Sequence, residues 1–442
     1  MRATFIHTAD NHLGYEQYGV KERFNDFARA FFAIVDDAIA RKVDFFICAG
    51  DLFHKRASDV LTLMQAEQGL RRLREAGIPV IAVEGNHDRT YYKDGASWLQ
   101  YLCWQGLLTL LDPVIEAGEP QLSPWNPDSM QGSYVDLLGG KVRVYGLPWY
   151  GAGTVRVMQG MARALKAARD AAAEPGVEFR ILVMHTGVEG IVPQLHGLPN
   201  REDFEPLHSL VDYVALGHVH KQYEMDHWLY NPGSTETVGA EESAWERGFY
   251  AVTVDDGTGA PQHQAKLVIN ARRPFLRLAF NVDGLTSPGV FRDAFERFCQ
   301  EEARRHAATL AAQPVVEVAL LGTLAFEASA IERAALEERV TELFQPLIAR
   351  VVDRTRDSGG LGMDDDDENG RDRSTWQQRE LKVFAEMLNS DARFAPHAGA
   401  WAHLAAEVKS MAVSGEPPEH IVARLRETRA KLAKGDTPTR ED

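Results

Sequence analysis

The chain has 442 residues, 45% of them hydrophobic and 25% charged, so it is long enough for about two or three domains and is not disordered throughout. Aspartate and glutamate number 64 against 48 lysines and arginines; the net charge of −16 excludes a protein that coats nucleic acid by bulk positive charge. Three scattered cysteines predict neither a disulfide framework nor a paired-cysteine metal site.

The N-terminal residues do not have the pattern of an export signal. Their apolar stretch is too short for a signal peptide, and Asp10 interrupts it. No run of the sequence approaches the ~18 apolar residues that a membrane span requires. We therefore expect a soluble, cytoplasmic protein that has no membrane partner.

Residues 1–270 alternate short apolar runs with longer helical patterns, which predicts an α/β domain built on a layered sheet. Helical patterns at 24–42 and 59–76 flank the first apolar run. Four runs resemble buried strands, and each is followed at once or within a few residues by His, Asp or Asn: 45–49, 80–83, 181–184 and 211–216. Because ligands collect beyond strand ends in α/β folds, these polar residues indicate a site.

Residues 95–111 form a further apolar segment. Read as a helix, the segment is apolar nearly all round, so it is expected to be buried on several sides. Two interpretations stay open at this point. The segment packs in the core, or it forms a dimer interface together with the helical pattern at 59–76.

The composition changes near residue 271. Strand patterns at 275–282 and 314–320 alternate with helical patterns at 288–306 and 328–349, which predicts a small second domain over 271–355. Residues 356–374 are rich in glycine and aspartate and are expected to be a flexible acidic linker.

The last segment, 375–442, has helical patterns and carries no catalytic motif. Four apolar side chains recur there at helical spacing, which suits an amphipathic helix that docks into a groove of a partner: Leu381, Phe384, Met387 and Leu388.

Five short motifs of chemically active residues stand in order along the chain. Each alone is a weak signal, because such short patterns occur by chance and a lone histidine is usually structural. All five in this order, four of them after strand candidates, are a strong signal: Asp10-Asn11-His12, Gly50-Asp51-Leu52-Phe53-His54, Gly85-Asn86-His87-Asp88, His185 and Gly217-His218-Val219-His220.

The residue types in these motifs point to a pair of divalent metal ions. Carboxylate, carboxamide and imidazole groups suit Mn²⁺, Fe²⁺ and Zn²⁺, and the lack of clustered thiolates argues against a structural zinc site. Because alternate residues of an extended segment share a face, the outer residues of 10–12 and of 218–220 can bracket the ions. Asp51 is the natural bridge between two ions, which at roughly 3.5–4 Å apart activate water and clamp both oxygens of a displacement at phosphorus.

These motifs resemble those of the calcineurin-like metallophosphoesterases and, within them, the SbcD-type DNA repair nucleases. The narrower resemblance is carried by residues 7–14, by the Gly-Asp-Leu-Phe-His form of the second motif and by Asn-Pro-Gly-Ser-Thr at 231–235. It is close over roughly the first 250 residues and looser beyond. It implies an α/β metallophosphoesterase sandwich of mixed sheets flanked by helices, a small α+β cap that contacts DNA at 271–355, and a helical tail.

Position by position, the resemblance also implies roles for the site residues. One metal ion is matched by Asp10, His12, Asp51 and His220, and the other, which shares Asp51, by Asp51, Asn86, His185 and His218. His87 would protonate the leaving 3′ oxygen, Asp88 would orient His87, and His54 would lie near the scissile phosphate. A general acid must stay free of the metals, which suits His87. The family prefers two Mn²⁺ ions, and Mg²⁺, Fe²⁺ or Zn²⁺ remain alternatives.

The function implied by the resemblance is a Mn²⁺-dependent exonuclease and endonuclease subunit. It would act on double-stranded DNA ends in repair and recombination, in the nucleoid, with an SbcC-type coiled-coil ATPase as partner. Family members dimerise through helices of the nuclease domain, which favours the interface interpretation of residues 95–111 and implies a homodimer within a heterotetramer.

Two other functions remain open at this stage. A related phosphoesterase could act on a cyclic nucleotide or a phosphoprotein, although protein phosphatases of this fold usually carry GDxxDRG and GNHE motifs instead. A non-catalytic scaffold could keep the fold and lose the chemistry, and the complete ligand set argues against this.

Overall fold

The structure is a computed structural model, which describes residues 1–90, 95–116, 118–171, 175–255 and 262–357 and, in the C-terminal part, 381, 384–385, 387–388, 394–413 and 418–433. Contacts divide the chain into two units, 1–358 and 359–442. Among the described helices, none is long and apolar enough to cross a bilayer.

Two six-stranded sheets form the centre of the first unit. The first sheet has the order β14-β13-β1-β2-β3-β4 and contains β1 (Arg2–Thr8), β2 (Phe45–Cys48), β3 (Val80–Ala82), β4 (Thr109–Leu110), β13 (Gly248–Asp255) and β14 (Gln262–Ile269). The second has the order β11-β12-β10-β9-β8-β7 and contains β7 (Tyr134–Leu137), β8 (Val142–Leu147), β9 (Phe179–Met184), β10 (Tyr213–Leu216), β11 (Tyr223–Met225) and β12 (Leu229–Asn231). A small hairpin pairs β5 (Ile115–Glu116) with β6 (Glu119–Pro120).

Alternate side chains of each central strand pack on opposite faces of its sheet, in two different parts of the core. Phe45 and Ile47 of β2 face the second sheet, while Phe46 and Cys48 face the helices on the outside. Those helices are α1 (Lys21–Arg41), α2 (Val60–Glu75) and α3 (Trp98–Trp104), and α4 (Thr154–Asp170) covers the outer face of the second sheet. Burial on both faces explains the continuous apolar runs. The predicted metallophosphoesterase sandwich of mixed sheets and flanking helices is confirmed.

Residues 95–111 differ from the prediction of one helix. Only α3 is helical, with Ser97 and Gln100 forming a capping box at its start, and the chain then enters β4. Leu99 and Leu102 are fully buried in the core of the same chain. The segment is apolar all round because it supplies a helix face and then a strand, so the core interpretation holds and Leu102 is not available to an interface.

A third sheet follows the second along the chain. Its three parallel strands lie in the order β15 (Phe275–Asn281), β16 (Val315–Leu324) and β17 (Ile348–Asp357), and its helices are α5 (Pro288–Arg305), α6 (Ala307–Leu310) and α7 (Arg333–Phe344). The helical prediction for 328–349 is wrong at both ends. Gln345 ends α7 in a left-handed conformation, and the chain turns into β17.

The predicted linker and tail are described only in part. β17 extends to Asp357, so the first two linker residues belong to a strand, and the acidic run lies outside the described residues. Leu381, Phe384, Met387 and Leu388 are helical. Farther on, α8 (Ala398–Val413) and α9 (Pro418–Ala433) are joined by Arg424, whose Nε lies 2.7 Å from Glu407 Oε1. The domain boundaries predicted within residues 1–355 stay predictions.

Candidate metal centre

The five motifs meet at one edge of the two central sheets. β1, β2 and β3 run parallel in one sheet, and β9 and β10 run parallel in the other, so the loops after them converge. Three groups of three side chains bring their potential ligand atoms within 4.8 Å of one another. Two contain an aspartate: Asp10, His12 and His220, and Asp51, His185 and His218. The third comprises His12, His54 and His87. Asn86 joins the second group, with Oδ1 3.2 Å from His185 Nε2 and 2.9 Å from His218 Nδ1.

The imidazoles are aimed into the site by contacts on their far side. His185 Nδ1 lies 2.8 Å from the carbonyl oxygen of Ala49, and His220 Nδ1 lies 2.8 Å from Glu242 Oε1. Each contact leaves Nε2 free to bind a metal ion, and such partners fix both the tautomer and the ring orientation. Glu242 was not predicted from the sequence, because no motif or spacing distinguishes it from other surface-type acids.

The donor set fits divalent cations. His12 Nε2 and His220 Nε2 face each other at 3.0 Å, and within the described chain the buried His12 Nδ1 has no hydrogen-bond partner. Two ring nitrogens that point at the same small space, with the Asp10 carboxylate beside them, are what a shared cation would satisfy. The same holds for the carboxylate, amide and imidazoles of the second group.

Four of the predicted ligands hold a strained backbone. Asp10, His12, Asp51 and His218 have φ angles of 50°, 47°, 51° and 80°. A non-glycine residue in this left-handed region costs about 1–3 kcal/mol and persists where the surrounding structure enforces it. The sharp turns let short loops present their side chains back toward the sheet edge.

Three motif glycines are required by close packing around Asp51 and His185. A Cβ atom on Gly85 would lie 2.0 Å from Asp51 Oδ1, and one on Gly50 would lie 2.3 Å from His185 Nδ1. A Cβ atom on Gly217 would lie 2.3 Å from the carbonyl oxygen of Ala49, the same oxygen that holds His185. Gly85 and Gly50 therefore make room for a candidate ligand from a different motif, and Gly217 makes room for the carbonyl oxygen that holds one.

Replacing Gly85 tests this packing. Gly85→Ala is expected to displace the Asp51 carboxylate and to weaken Mn²⁺ binding by about 10- to 100-fold, the effect usual for disturbing the support of a ligand. Isothermal titration calorimetry measures the affinity. Gly289→Ala is the matched control, because a Cβ atom there meets nothing within 4 Å. Unchanged affinity in Gly85→Ala would contradict the assignment of Asp51 as a ligand.

His87 and His54 lie beside the first group of ligands. Their rings stack at a centroid distance of 5.3 Å, and the His12 ring lies 5.0 Å from that of His87. His87 Nδ1 lies 2.6 Å from the carbonyl oxygen of His54, which directs Nε2 away from the loop. Tyr15 also stacks on His54, at a centroid distance of 3.8 Å. Burial, followed by the neighbouring His87, lowers the pKa of His54 to about 4.

Asp88, which is predicted to orient His87, contacts the backbone of two loops. Its carboxylate accepts hydrogen bonds from the backbone N–H groups of Phe53 and Gly85 at 3.0 Å and of Leu52 at 3.3 Å. It therefore locks the loop at 85–88 to the loop after Asp51. The orientation of His87 comes instead from the His54 carbonyl, a backbone atom that side-chain identity does not reveal.

Asp51 and His185 shift each other's pKa values. Burial alone would lower the pKa of His185, but the Asp51 carboxylate, whose Oδ2 lies 3.3 Å from Nε2, raises it to about 9. Burial opposes ionisation of Asp51, yet His185 and the other imidazoles hold its pKa below the usual range. Burial raises the pKa of Asp10 to about 6 and lowers that of His218 to about 3.

These shifts predict how the metal-free protein responds to pH. His185 binds its proton more tightly in the folded chain than in the unfolded chain, so its stabilisation is complete below pH 6.5 and is lost as pH rises toward 9. Histidines with lowered pKa values are neutral in both states above about pH 7.5, so they do not contribute there. Between pH 7.5 and 9 we expect His185 to lower the free energy of unfolding by at most about 1.4 kcal/mol per pH unit. Denaturant titration in EDTA measures the slope. His185→Gln should reduce the slope but not abolish it, because Glu242 raises the pKa of His220 against the effect of burial. An unchanged slope in the His185→Gln variant would contradict the His185–Asp51 pair.

His7 lies outside the ligand groups. Its ring bonds to the Tyr213 hydroxyl at 2.9 Å and to the Leu216 carbonyl at 3.0 Å, and burial lowers its pKa to about 3. It is a neutral core residue.

Comparison with known proteins agrees with the cluster of His and Asp residues at the site. Residues 3–222, which include every predicted site residue, match the family described as calcineurin-like phosphoesterase. The site thus has the His/Asp dimetal arrangement typical of metallophosphoesterases.

Three relatives share the description "DNA double-strand break repair protein Mre11". The protein of Archaeoglobus fulgidus is 33% identical over 249 residues, covering 54% of this chain and 52% of the relative. That of Haloferax volcanii is 44% identical over 115 residues, covering 26% and 25%. That of Methanosarcina mazei is 27% identical over 297 residues, covering 64% and 40%. The matches thus span about half or less of each relative.

Proposed function

The chain belongs to the Mre11/SbcD family of calcineurin-like metallophosphoesterases, and on this premise we propose that it is a metal-dependent nuclease acting at DNA double-strand ends. The observation that carries the proposal is the meeting of two ligand groups around Asp51, with His87 beside them. The backbone N–H of His87 donates to Asp51 Oδ1 at 2.9 Å, so the proposed acid is fixed to the proposed bridge.

The residues divide the work of hydrolysis among them. Asp10, His12 and His220 would hold one ion, Asn86, His185 and His218 would hold the other, and Asp51 would be shared by both. When bound, the ions supply an activated water and neutralise charge on the phosphate. His87, with Nδ1 held by the His54 carbonyl, gives a proton from Nε2 to the leaving oxygen. His54 contacts the phosphate as a neutral donor. Mn²⁺ suits this mixed oxygen and nitrogen set.

The assay that tests the proposal compares three substrates. Linear duplex DNA, a cyclic nucleotide and a phosphomonoester are each offered with Mn²⁺ to the full chain. We expect cleavage of the DNA. Hydrolysis confined to either small substrate would replace the proposal with the small-substrate phosphoesterase alternative, and no hydrolysis of any of them would favour the scaffold.

We propose that the dimer contact lies on α2. Of the two segments considered for an interface, residues 95–111 carry Leu102, which is buried in the core, whereas α2 has exposed apolar side chains. Val60, Leu61 and Met64 are 71%, 56% and 59% exposed along one side of this helix, next to a groove shared with α1. Three adjacent exposed apolar side chains mark an interaction surface. The partners in the full assembly would be a second copy here and an ATPase subunit on the helical tail, working on DNA in the cytoplasm.

Adding charge to this surface tests the dimer. Leu61→Glu and Met64→Glu are expected to give folded monomers by light scattering, because an unpaired carboxylate opposes burial. They should still hydrolyse a small phosphodiester, since α2 carries no site residue. Val290→Glu, at an exposed apolar position of α5, serves as the control. Dimers that persist in both α2 variants would place the contact elsewhere.

A further inference from the structure

A cluster of buried charges lies where the third sheet begins. The cluster comprises Arg23 and Asp26 of α1, Glu236 and Arg273, whose side chains are 0%, 5%, 1% and 10% exposed. Taking charges out of water is costly unless each is paired with good geometry. Removing the only partner of a charge in the cluster would leave that charge buried without compensation, which is strongly destabilising.

Arg273 joins the nuclease body to the third sheet. Its Nε and Nη2 donate to Asp26 Oδ2 and Oδ1 at 2.7 and 3.1 Å, a two-point contact with α1. Its Nη1 donates to the carbonyl oxygens of Ala312 and Gln313 at 3.0 and 2.8 Å, just before β16. The planar fork of an arginine can make these bonds at once, whereas a lysine cannot.

The same cluster holds the loop that follows the first metal motif. Arg23 donates from Nη1 to Asp26 Oδ2 at 2.7 Å and from Nε to Gln17 Oε1 at 2.8 Å. Gln17 lies two residues beyond Tyr15, the ring that stacks on His54. Asp26 thus bonds to Arg273, next to the third sheet, and to Arg23, which holds the loop that carries Tyr15.

A second contact brings the third sheet to this loop. The guanidinium of Arg350 on β17 lies over the ring of Tyr18 at 4.3 Å, and its Nη1 bonds to Glu317 Oε2 of β16 at 3.2 Å. Tyr18 holds a positive φ of 59°, so the loop is shaped to present the ring there. The third sheet therefore reaches residues 15–18 in two ways: directly through Arg350 and Tyr18, and indirectly from Arg273 through Asp26 and Arg23.

We propose that the Arg273–Asp26 pair is a specificity-determining positioning element: it fixes the third sheet beside the loop at residues 15–18, so that duplex DNA meets both at once. The inference rests on the proposed function. A small phosphodiester needs only the metal ligands and His87, whereas a duplex extends well beyond them and its phosphates reach neighbouring surfaces. Loosening the pair should therefore lower duplex cleavage more than it lowers small-substrate hydrolysis.

The test uses Arg273→Gln in the Mn²⁺-loaded full chain. Asp26 keeps Arg23 and Arg29 as partners, so no carboxylate is left unpaired. We expect the ratio of duplex cleavage to bis(4-nitrophenyl) phosphate hydrolysis to fall about tenfold, within the range of coupling changes caused by one residue. Arg273→Lys, which keeps the charge, should show a smaller fall in the same ratio and carries the test if the glutamine variant does not fold. Arg305→Gln, which breaks an ion pair within α5, is the control.

Hydrogen exchange separates this inference from the proposed function. In Arg273→Gln, amides at 15–20 and at 312–316 should exchange faster together, because both depend on the cluster. Unchanged exchange at 15–20, or equal losses on both substrates, would overturn the inference. If the wild-type chain cleaves no DNA while Arg273→Gln still speeds exchange at both segments, the proposed function is overturned. The contact between the third sheet and the loop then stands.

Discussion

Asp51→Asn is expected to reduce hydrolysis of DNA by about 10³-fold or more and to leave fewer than two bound ions, because a neutral amide bridges cations poorly. Asp51 is almost fully buried, its Oδ2 faces His185 Nε2 at 3.3 Å, and Oδ1 accepts the His87 N–H. Losing the carboxylate therefore affects both ligand groups and the proposed acid. Metal content is measured by mass spectrometry after gel filtration, and turnover is measured on linear duplex DNA.

Asp212→Asn is the matched control for this variant. Asp212 accepts a hydrogen bond from the Arg180 N–H at 2.7 Å and precedes β10, whereas the metal site follows that strand. The control should keep both ions and full turnover. Two bound ions with near-normal turnover in Asp51→Asn would show that the Asp51 carboxylate is not needed to bridge the ions.

His87→Gln is expected to lower DNA hydrolysis by ~10²-fold or more while metal content stays normal, the usual effect of losing a general acid. The ring of His87 bonds to the His54 carbonyl, and it lies with His12 and His54 rather than in either group that contains an aspartate. A substrate with a good leaving group needs no proton. Bis(4-nitrophenyl) phosphate should therefore be hydrolysed with a much smaller loss than DNA.

Two results, loss of metal and equal slowing of both substrates, would contradict this prediction. His196→Gln is the control, because His196 is exposed and pairs with Glu189 away from the site. If His87→Gln loses metal, His87 is a ligand, in line with its place near His12 and His54. If both substrates slow equally, its role is not proton donation.

The metal site could be predicted from the sequence because its signals are local. Asp10, Asp51 and His185 each follow an apolar run, and a run of that kind fixes where a strand ends. Ligand chemistry is carried by side-chain type, so the motifs predicted which residues would meet. The α/β class followed from the same alternation of runs and helical patterns.

Residues 95–111 and 328–349 show the limit of such patterns. In both, an apolar stretch serves a helix and then a strand, and burial alone does not distinguish the two. The left-handed Gln345 that ends α7 is set by its neighbours rather than by its own preference.

The sequence by itself determined which candidate ligands meet at the sheet edge, the apolar strands and the sandwich class, since each depends on residues close together in the chain. Only the tertiary structure decided what supports them: Glu242 behind His220, the His54 carbonyl behind His87, Asp88 on the loop backbone, and Arg273 between Asp26 and the third sheet. These contacts join groups that are distant in sequence or are backbone atoms common to every residue. Their geometry exists only once the sheets have packed and their loops have converged, so no local pattern can specify it.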